Sequence, residues 1–157
     1  MENDTVKQLK DFNDWVESYC KENNIPEYEY TKEHRDILML SSEDLNNLTP
    51  VETYAYAAIL MNYAGHLQKK LDIVQSQLYW CNQALEYLFA KYWNNYDKSM
   101  PWEIKKKSIL IDNSYAESVE KSRIRLEAAV YCLGESCRDI KKRVNILQDM
   151  GKAKAFK

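Results

Sequence analysis

Residues 50–93 read PVETYAYAAILMNYAGHLQKKLDIVQSQLYWCNQALEYLFAKYW, and this stretch decides the fold. Small and apolar residues recur in it at alternating steps of three and four: Ala57, Leu60, Ala64, Leu67, Leu71, Val74, Leu78, Cys81, Leu85, Leu88 and Tyr92. The spacing averages about 3.5 residues, so all members share one narrow helical stripe that predicts a partner helix. At about 1.5 Å per residue the helix is roughly 65 Å long. We therefore expect it to serve helix pairing or oligomerisation, mainly through Leu60, Leu67, Leu71, Val74, Leu78, Leu85 and Leu88.

Both ends of this predicted helix are marked in the sequence. Thr49 supplies an N-cap hydroxyl, Pro50 takes the first helical position, and Glu52 places a carboxylate three residues after the cap. Residues 94–101, NNYDKSMP, combine turn formers with a proline and end the helix. We place the long helix at residues 49–97 and a connector at 98–113. Because residues 103–112 have no usable period, helix, loop and short strand stay open there.

A second helical pattern fills the C-terminal third of the chain. One seam comprises Val119, Ser122, Leu126, Ala129, Leu133, Ser136, Ile140, Arg143, Leu147 and Met150, and a neighbouring seam adds Val130, Cys137 and Val144. Two adjoining stripes allow packing against more than one partner. We assign residues 114–150 to the return arm of a helical hairpin and residues 151–157 to a basic tail. The spacing leaves open whether the hairpin closes within one chain or between chains.

The first 48 residues carry a different pattern. Residues 4–23 fit one amphipathic helix with Val6, Leu9, Phe12, Trp15, Val16 and Tyr19 on a shared face. Ile25 and Pro26 end it, and residues 27–48 predict short helical turns with Ser42 as a cap for residues 43–48. The predicted class is all-α: a single domain built on a long antiparallel, coiled-coil-like hairpin with an additional N-terminal helix.

Composition is that of a folded chain, with 45% hydrophobic and 29% charged residues among 157. No apolar run approaches the roughly 20 residues of a membrane span, and no signal peptide begins the sequence. Cys20, Cys81, Cys132 and Cys137 lack CxxC spacing, which favours buried, reduced thiols in a cytoplasmic protein. We expect no membrane association.

Enzyme motifs are missing from the sequence. It contains no glycine-rich phosphate loop, no GxSxG and no HExxH. His34 and His66, the two histidines, lie in different segments without the spacing of metal ligands. We expect no catalysis, no cofactor and no metal.

The charge distribution is asymmetric along the chain. Residues 103–157 hold 13 Lys and Arg against 8 Asp and Glu, whereas residues 1–102 hold 9 against 16. Basic clusters of this kind neutralise phosphates with little sequence preference. A solvated helix face is the alternative, and 141–143 also allows a nuclear signal. The candidate nucleic-acid-binding cations are Lys98, Lys105, Lys106, Lys107, Arg138, Lys141, Lys142, Arg143, Lys152 and Lys154.

Aromatic residues crowd the end of the long helix and the connector. Unpaired bases stack on exposed aromatic rings while cations hold the backbone. Tyr96 and Trp102 stand beside turn residues and lysines, so they are the predicted stacking residues. Trp80, Tyr87 and Tyr92 are expected in the core instead.

Two stretches carry a resemblance to a known family. Residues 48–52, LTPVE, lead into a long helix containing Tyr79, Trp80 and Cys81, and residues 140–149 read IKKRVNILQD before a tail with Phe156. This resembles the UvsY-like recombination mediators of tailed phages over residues 48–157. The resemblance implies a small helical protein that forms ring-like homo-oligomers, binds single-stranded DNA and helps a recombinase displace a single-strand-binding protein. The matching positions are Lys98 with residues 105–107, and residues 141–143 onward.

Three function hypotheses follow. The first is the non-enzymatic, single-stranded DNA-binding mediator of a phage, working in the host cytoplasm. The second is a protein–protein interaction module, an adaptor or inhibitor of a host factor, that uses the acidic residues of the N-terminal helix: Asp4, Asp11, Asp14, Glu17 and Glu22. The third is a structural coiled-coil protein.

Overall fold

The computed structural model describes residues 2–22 and 30–156, without the side chains of residues 2, 3 and 19. Its helices are α1 (Glu2–Glu22), α2 (Lys32–Leu38), α3 (Ser42–Asn47), α4 (Pro50–Tyr92), α5 (Trp102–Asp112) and α6 (Ser114–Ala155), with a short 3-10 helix at Trp93–Asn95. The described residues form no strand, and α4 and α6 pack together. The predicted all-α hairpin with an N-terminal helix is thereby confirmed. The predicted helix stop at residues 25–26, the turns at 27–29 and Lys157 lie outside the described residues.

The start of α4 follows the predicted capping pattern. The Thr49 N–H donates to Glu52 Oε2 at 2.7 Å, and the Glu52 N–H donates to Thr49 Oγ1 at 3.2 Å. This reciprocal arrangement satisfies two backbone donors that the helix itself leaves without partners. At α3 the cap is Ser41 and not Ser42, because Ser41 stands three residues before Asp44 and completes the same exchange with it.

Contacts divide the chain into two compact units, where the sequence suggested one domain. Unit 1 comprises Met1–Ile25 and Asp72–Tyr131, and unit 2 comprises Pro26–Leu71 and Cys132–Lys157. Each unit therefore takes one part of α4 and one part of α6. We describe the two units separately.

The core of unit 2 is a seam between α4 and α6. Leu60, Val144 and Leu147 have no exposed surface, and Leu67 and Leu71 are buried. Leu60 and Leu67 of the predicted pairing residues thus pack against α6 of the same chain, so the hairpin closes within one chain. Burial of such side chains stabilises each by about 1.5–3 kcal/mol relative to exposure.

One glycine of α6 lies close to α4 in unit 2. A Cβ atom added at Gly151 would stand 2.7 Å from Thr53 Oγ1 and 3.0 Å from the Tyr54 ring. Real Cβ atoms do not approach other heavy atoms that closely, so a larger residue at position 151 would force the Thr53 or Tyr54 side chain to shift. At Gly134, also on α6, an added Cβ would meet no atom within 4 Å.

Unit 1 has a smaller buried cluster of Cys81, Leu85 and Val119. Leu88 is also buried, whereas the pairing residues Val74 and Leu78 are only half-buried. Helix α1 belongs to this unit. Its Leu9 packs against the buried cluster. Its hydrogen bonds to the unit include Ser118 Oγ to Thr5 Oγ1 at 3.0 Å, Gln77 Nε2 to Asn13 Oδ1 at 2.7 Å and Tyr115 Oη to Gln8 Oε1 at 2.8 Å. The predicted core residue Tyr87 is exposed, while Trp80 and Tyr92 are half-buried.

Two segments have more helix than the sequence indicated. The connector, for which the sequence left helix, loop and short strand open, contains the 11-residue helix α5, whose buried residues are Lys105 and Ile109. Its apolar stripe is short because a lysine occupies one of its buried positions. At the C-terminus α6 continues to Ala155, so most of the predicted tail is helical.

The cysteines divide by exposure. Cys20, Cys81 and Cys137 are buried, Cys132 is exposed, and all four are free thiols. Burial raises the pKa of the Cys81 thiol to about 11. A thiol with so high a pKa remains protonated and unreactive at neutral pH.

Candidate functional site

Unit 1 carries a large open groove between α4, α5 and α6, which we call the aromatic groove. Its volume is about 1100 Å³. Four aromatic rings line it, together with charged residues of both signs; those used below are Tyr79, Glu86, Phe89, Trp93, Trp102, Glu103, Lys106, Lys107, Glu120 and Arg123. The groove contains four of the aromatic residues near the end of the long helix and the connector, and two of the four connector lysines, Lys106 and Lys107.

Two tryptophans and one lysine form the centre of the aromatic groove. The ring centroids of Trp93 and Trp102 are 4.4 Å apart at an interplanar angle of 49°. The Lys106 ammonium lies 4.1 Å from the Trp102 ring centroid and 5.8 Å from that of Phe89. Trp102 keeps 48% of its surface exposed. An exposed ring with an adjacent cation offers both a stacking surface and a counter-charge to a planar, anionic ligand.

The four connector lysines have different environments. Lys105 is only 3% exposed, and its ammonium lies 4.2 Å from the Trp93 ring centroid. It belongs to the packing of unit 1, which removes it from the predicted set of solvent-facing cations. Lys107 is exposed at the aromatic groove, and Lys98 is exposed in the turn before α5.

Tyr96 is not a free stacking residue. Its hydroxyl donates to Asp112 Oδ2 at 2.7 Å and so connects the segment after α4 to the end of α5. The carboxylate disfavours the tyrosinate, which raises the pKa of Tyr96 to about 12. Of the two predicted stacking residues, the structure places only Trp102 in the aromatic groove.

Carboxylates limit the positive charge of the aromatic groove. Arg123 forms a bidentate pair with Glu120 at 2.7 and 2.9 Å and reaches Glu127 at 3.1 Å. This pairing raises the pKa of Arg123 further above its ordinary value. Glu86 and Glu103 also line the groove. The cations that face a ligand are therefore Lys106 and Lys107, both on α5.

In unit 2, two predicted DNA-binding cations hold backbone carbonyls. The Lys154 ammonium donates to the carbonyl oxygens of Leu45, Asn46 and Leu48 at 3.0, 2.9 and 2.6 Å, beside the C-terminal end of α3. Arg143 donates to the Leu40 carbonyl at 3.0 Å. These side chains attach the segment before α4 to α6, and Lys154 supplies donors that the carbonyls at the end of α3 lack within the helix.

The other basic residues of α6 remain at the surface. Arg138 pairs with Glu135 at 2.9 Å, Lys142 with Asp139 at 3.5 Å, and Lys152 with Asp149 at 3.5 Å. The Lys141 ammonium donates to Gln68 Oε1 at 3.1 Å. Exposed pairs of this kind contribute between zero and about 1 kcal/mol, so they yield readily to a stronger anion.

The sequence did not predict that Lys106 and Trp102 form a pair. It also did not predict that Phe89 and Trp93 line the groove. A usable signal was present, because residues 102 and 106, and likewise 89 and 93, stand four apart on a helix. Residues at that spacing project from the same face. The spacing does not reveal how α5 packs against α4. This packing brings the 89/93 pair and the 102/106 pair into one groove.

Comparison with known proteins identifies no relative: no protein-family model, curated protein or solved structure matches this chain. The resemblance to the UvsY-like mediators therefore stays a prediction. Among the described residues, no three His, Cys, Asp or Glu side chains are grouped as a metal site. No helix in the described ranges is both long and apolar enough to cross a membrane.

Proposed function

We propose that the chain is a non-enzymatic protein that binds single-stranded nucleic acid in the aromatic groove. The observation that carries the proposal is the half-exposed Trp102 ring with the Lys106 ammonium 4.1 Å from its centroid and Lys107 exposed beside it. An unpaired base would stack on Trp102, and the two lysines would neutralise the adjoining phosphates. A duplex offers no unstacked base, so the groove would discriminate against it.

The balance of charges sets the expected salt dependence. Glu86, Glu103 and Glu120 offset part of the lysine charge, so electrostatics contribute less here than in a uniformly basic groove. With two phosphates neutralised, log K would fall with log[salt] at a slope of roughly −1.4. Stacking, which is worth about 1–3 kcal/mol per base, would carry most of the affinity.

The test is fluorescence anisotropy of a 3′-labelled single strand and of the matching duplex, each titrated with protein across a salt series. We expect the single strand to bind more tightly. Trp102→Ala should weaken it roughly five- to 150-fold, the range that corresponds to one stacked base. Lys107→Gln should reduce the salt slope by roughly 0.7.

Matched controls exist on the same unit. Tyr131→Ala removes an aromatic side chain that is 71% exposed on α6 but does not line the groove. Lys121→Gln removes a lysine that is paired with Glu117 at 2.9 Å outside the groove. Equal losses in Trp102→Ala and Tyr131→Ala, or duplex binding as tight as single-strand binding, would contradict the proposal.

Self-association is part of the proposal but needs a surface other than the predicted leucine seam, because that seam is used within the chain. Ile104 and Ile111 stand seven apart on α5 and are 51% and 80% exposed. We propose this stripe as the contact between copies. Ile111→Asp should then lower the oligomer state in analytical ultracentrifugation, and an unchanged mass would exclude the stripe.

A protein-binding module is the second candidate, favoured by the same exposed stripe of Ile104 and Ile111. This candidate predicts that the protein binds no oligonucleotide even at low salt. It also predicts that Lys107→Gln leaves the affinity for the partner protein unchanged. The family resemblance extends the first proposal by one step. The protein would act as a mediator whose partners are a recombinase and a single-strand-binding protein. This role would be tested by displacement assays once strand binding is measured.

A further inference from the structure

Unit 2 has a second, smaller groove, which we call the basic groove. It lies between α6 and the part of α4 that belongs to unit 2, and its volume is about 360 Å³. Its lining consists of Gln68, Leu71, Gly134, Cys137, Arg138, Lys141, Lys142 and Asn145. The six α6 residues form two rows with steps of three and four, 134–137–141–145 and 134–138–142–145, and therefore share one face of the helix.

The lining of the basic groove has one sign of charge. Arg138, Lys141 and Lys142 contribute three cations, and no carboxylate lines the groove. Glu135 and Asp139 reach Arg138 and Lys142 from elsewhere on α6, in pairs whose members are 39–70% exposed. Such pairs contribute little, so an anion inside the groove would recruit both cations at small cost.

Amide groups add neutral hydrogen-bonding capacity. Gln68 Oε1 accepts from the Lys141 ammonium at 3.1 Å and from the Cys137 thiol at 3.5 Å. The exposed Asn145 amide, elsewhere on the lining, carries N–H donors. Leu71 and Cys137 are buried beneath these polar groups.

Gly134 keeps the basic groove open. No atom lies within 4 Å of the place where its Cβ would be, so no helix contact requires a glycine there. Glycine in a helix interior is about 1 kcal/mol less favourable than alanine. Because Gly134 has no side chain, it leaves space in the groove that a ligand can occupy.

We propose that the basic groove is a binding site for a dianionic phosphate group, either free phosphate or the terminal monoester of a strand. Three cations on one lining exceed what the single charge of a phosphodiester needs, and they match a monoester, which carries nearly two charges at neutral pH. Arg138 supplies a planar, bidentate donor, and the lysines supply point charges. The site lies wholly in unit 2, and it does not depend on strand binding in the aromatic groove.

The first experiment is a ¹H–¹⁵N NMR titration of the whole protein with inorganic phosphate at about pH 7.5, where the dianion dominates, at constant ionic strength maintained with chloride. We expect saturable shifts of the amides of residues 134–145 at up to tens of millimolar phosphate. Absence of saturable shifts in that segment would overturn the proposal.

Two variants and one control separate binding from folding. Gly134→Leu fills the groove without a Cβ clash and improves helix propensity, so it should raise the Kd for phosphate at least tenfold while the protein unfolds at a higher temperature. Arg138→Gln with Lys142→Gln should also raise the Kd at least tenfold. Lys152→Gln removes a lysine of α6 with a similar surface pair but outside the groove, and it should leave the Kd unchanged. Unchanged binding in Gly134→Leu, or an equal loss in Lys152→Gln, would overturn the assignment.

A second arm identifies the source of the phosphate. Single strands with a 5′-phosphate and with a 5′-hydroxyl are compared by anisotropy in the wild type and in Gly134→Leu. A preference for the phosphorylated strand that Gly134→Leu abolishes assigns the site to a strand end, whereas equal binding of both strands with phosphate still bound assigns it to free phosphate. Phosphate binding without any strand binding would refute the proposed function and leave this inference standing.

Discussion

The two units use their lysines in different ways. In unit 1, Lys105 and Lys106 lie over the rings of Trp93 and Trp102, with ammonium-to-centroid distances of 4.2 and 4.1 Å. In unit 2, Lys154 donates to three backbone carbonyls beside the end of α3. One set of cations meets side-chain π surfaces, and the other meets the main chain.

This difference shows that the groups around a lysine determine whether it can bind a ligand or only stabilises the fold. The Lys106 ammonium lies over the half-exposed Trp102 ring, so it can also attract an anion that stacks on this ring. The Lys154 ammonium donates all three of its hydrogen bonds to backbone carbonyls and therefore stabilises the fold instead of binding a ligand. The counts of basic residues in the two segments of sequence do not distinguish these cases.

The largest expected effect is at the unit 2 contact. Lys154→Met keeps the aliphatic stem but leaves three carbonyls without their donor, so we expect a loss of about 3 kcal/mol in the free energy of unfolding, as hydrogen bonds from charged groups are worth about 1.5–3 kcal/mol. Chemical denaturation monitored by circular dichroism measures it. Lys152→Met, two residues away and paired only at 3.5 Å with Asp149, should stay within about 0.5 kcal/mol. Similar losses in both variants would remove the contrast between the units.

The two glycines of α6 should respond with opposite signs. Gly151→Ala forces a Cβ to within 2.7 Å of Thr53 Oγ1, and overpacking of this kind costs about 1–3 kcal/mol. Gly134→Ala meets no atom and should stabilise the protein by up to about 1 kcal/mol through helix propensity. Thermal unfolding of the two variants side by side is the measurement, and a stabilising Gly151→Ala would show that the helices separate freely at that point.

At the unit 1 contact the expected effect is smaller. Lys105→Met retains the packing of the stem against Trp93 and removes the cation–π attraction, so unfolding should become easier by about 1 kcal/mol. Lys107→Met, which alters an exposed lysine of the same helix, is the matched control and should change little. If Lys105→Met proves as damaging as Lys154→Met, the ring contacts are as structural as the carbonyl contacts.

The smallest effect is confined to alkaline pH. Tyr96 has a pKa of about 12 in the folded protein, against about 10 for an ordinary tyrosine, so the neutral hydroxyl is favoured by folding. Its stabilising contribution is complete below about pH 10 and disappears as the pH rises through about 12. The tyrosinate absorbance of wild type minus Tyr96→Phe should titrate near 12, and Asp112→Asn should return this midpoint toward 10. A difference midpoint near 10 in the wild type would refute the Tyr96–Asp112 bond in solution.

Much of the fold was predictable, since its signals are local. The capping box of Thr49 and Glu52, the period of the seam and the stop before Pro101 lie within a few residues of what they determine. Helix α5 was not predictable by period, because one of its two buried positions is Lys105, and a pattern search treats lysine as solvated. The Trp93 ring, 12 residues upstream, provides a face for the buried ammonium, and the Asp97 carboxylate interacts with the same charge.

The candidate site was predictable in composition but not in arrangement. Trp102, Lys106 and Lys107 stand close in sequence, and the structure places them in one groove with Phe89 and Trp93. The sequence grouped Lys154 and Arg143 with them because it records charge and not hydrogen-bond partners. Those partners are carbonyls about a hundred residues away, which no local pattern encodes.

The Lys154 contact also bears on how the chain is made. Residue 154 and its partners at 45–48 are separated by more than a hundred residues of sequence. During synthesis, more than a hundred further residues must be translated after α3 before this donor leaves the ribosome. Until then the carbonyls at the end of α3 are satisfied by water, so α3 is expected to reach its final stability only after the C-terminal turns of α6 have emerged.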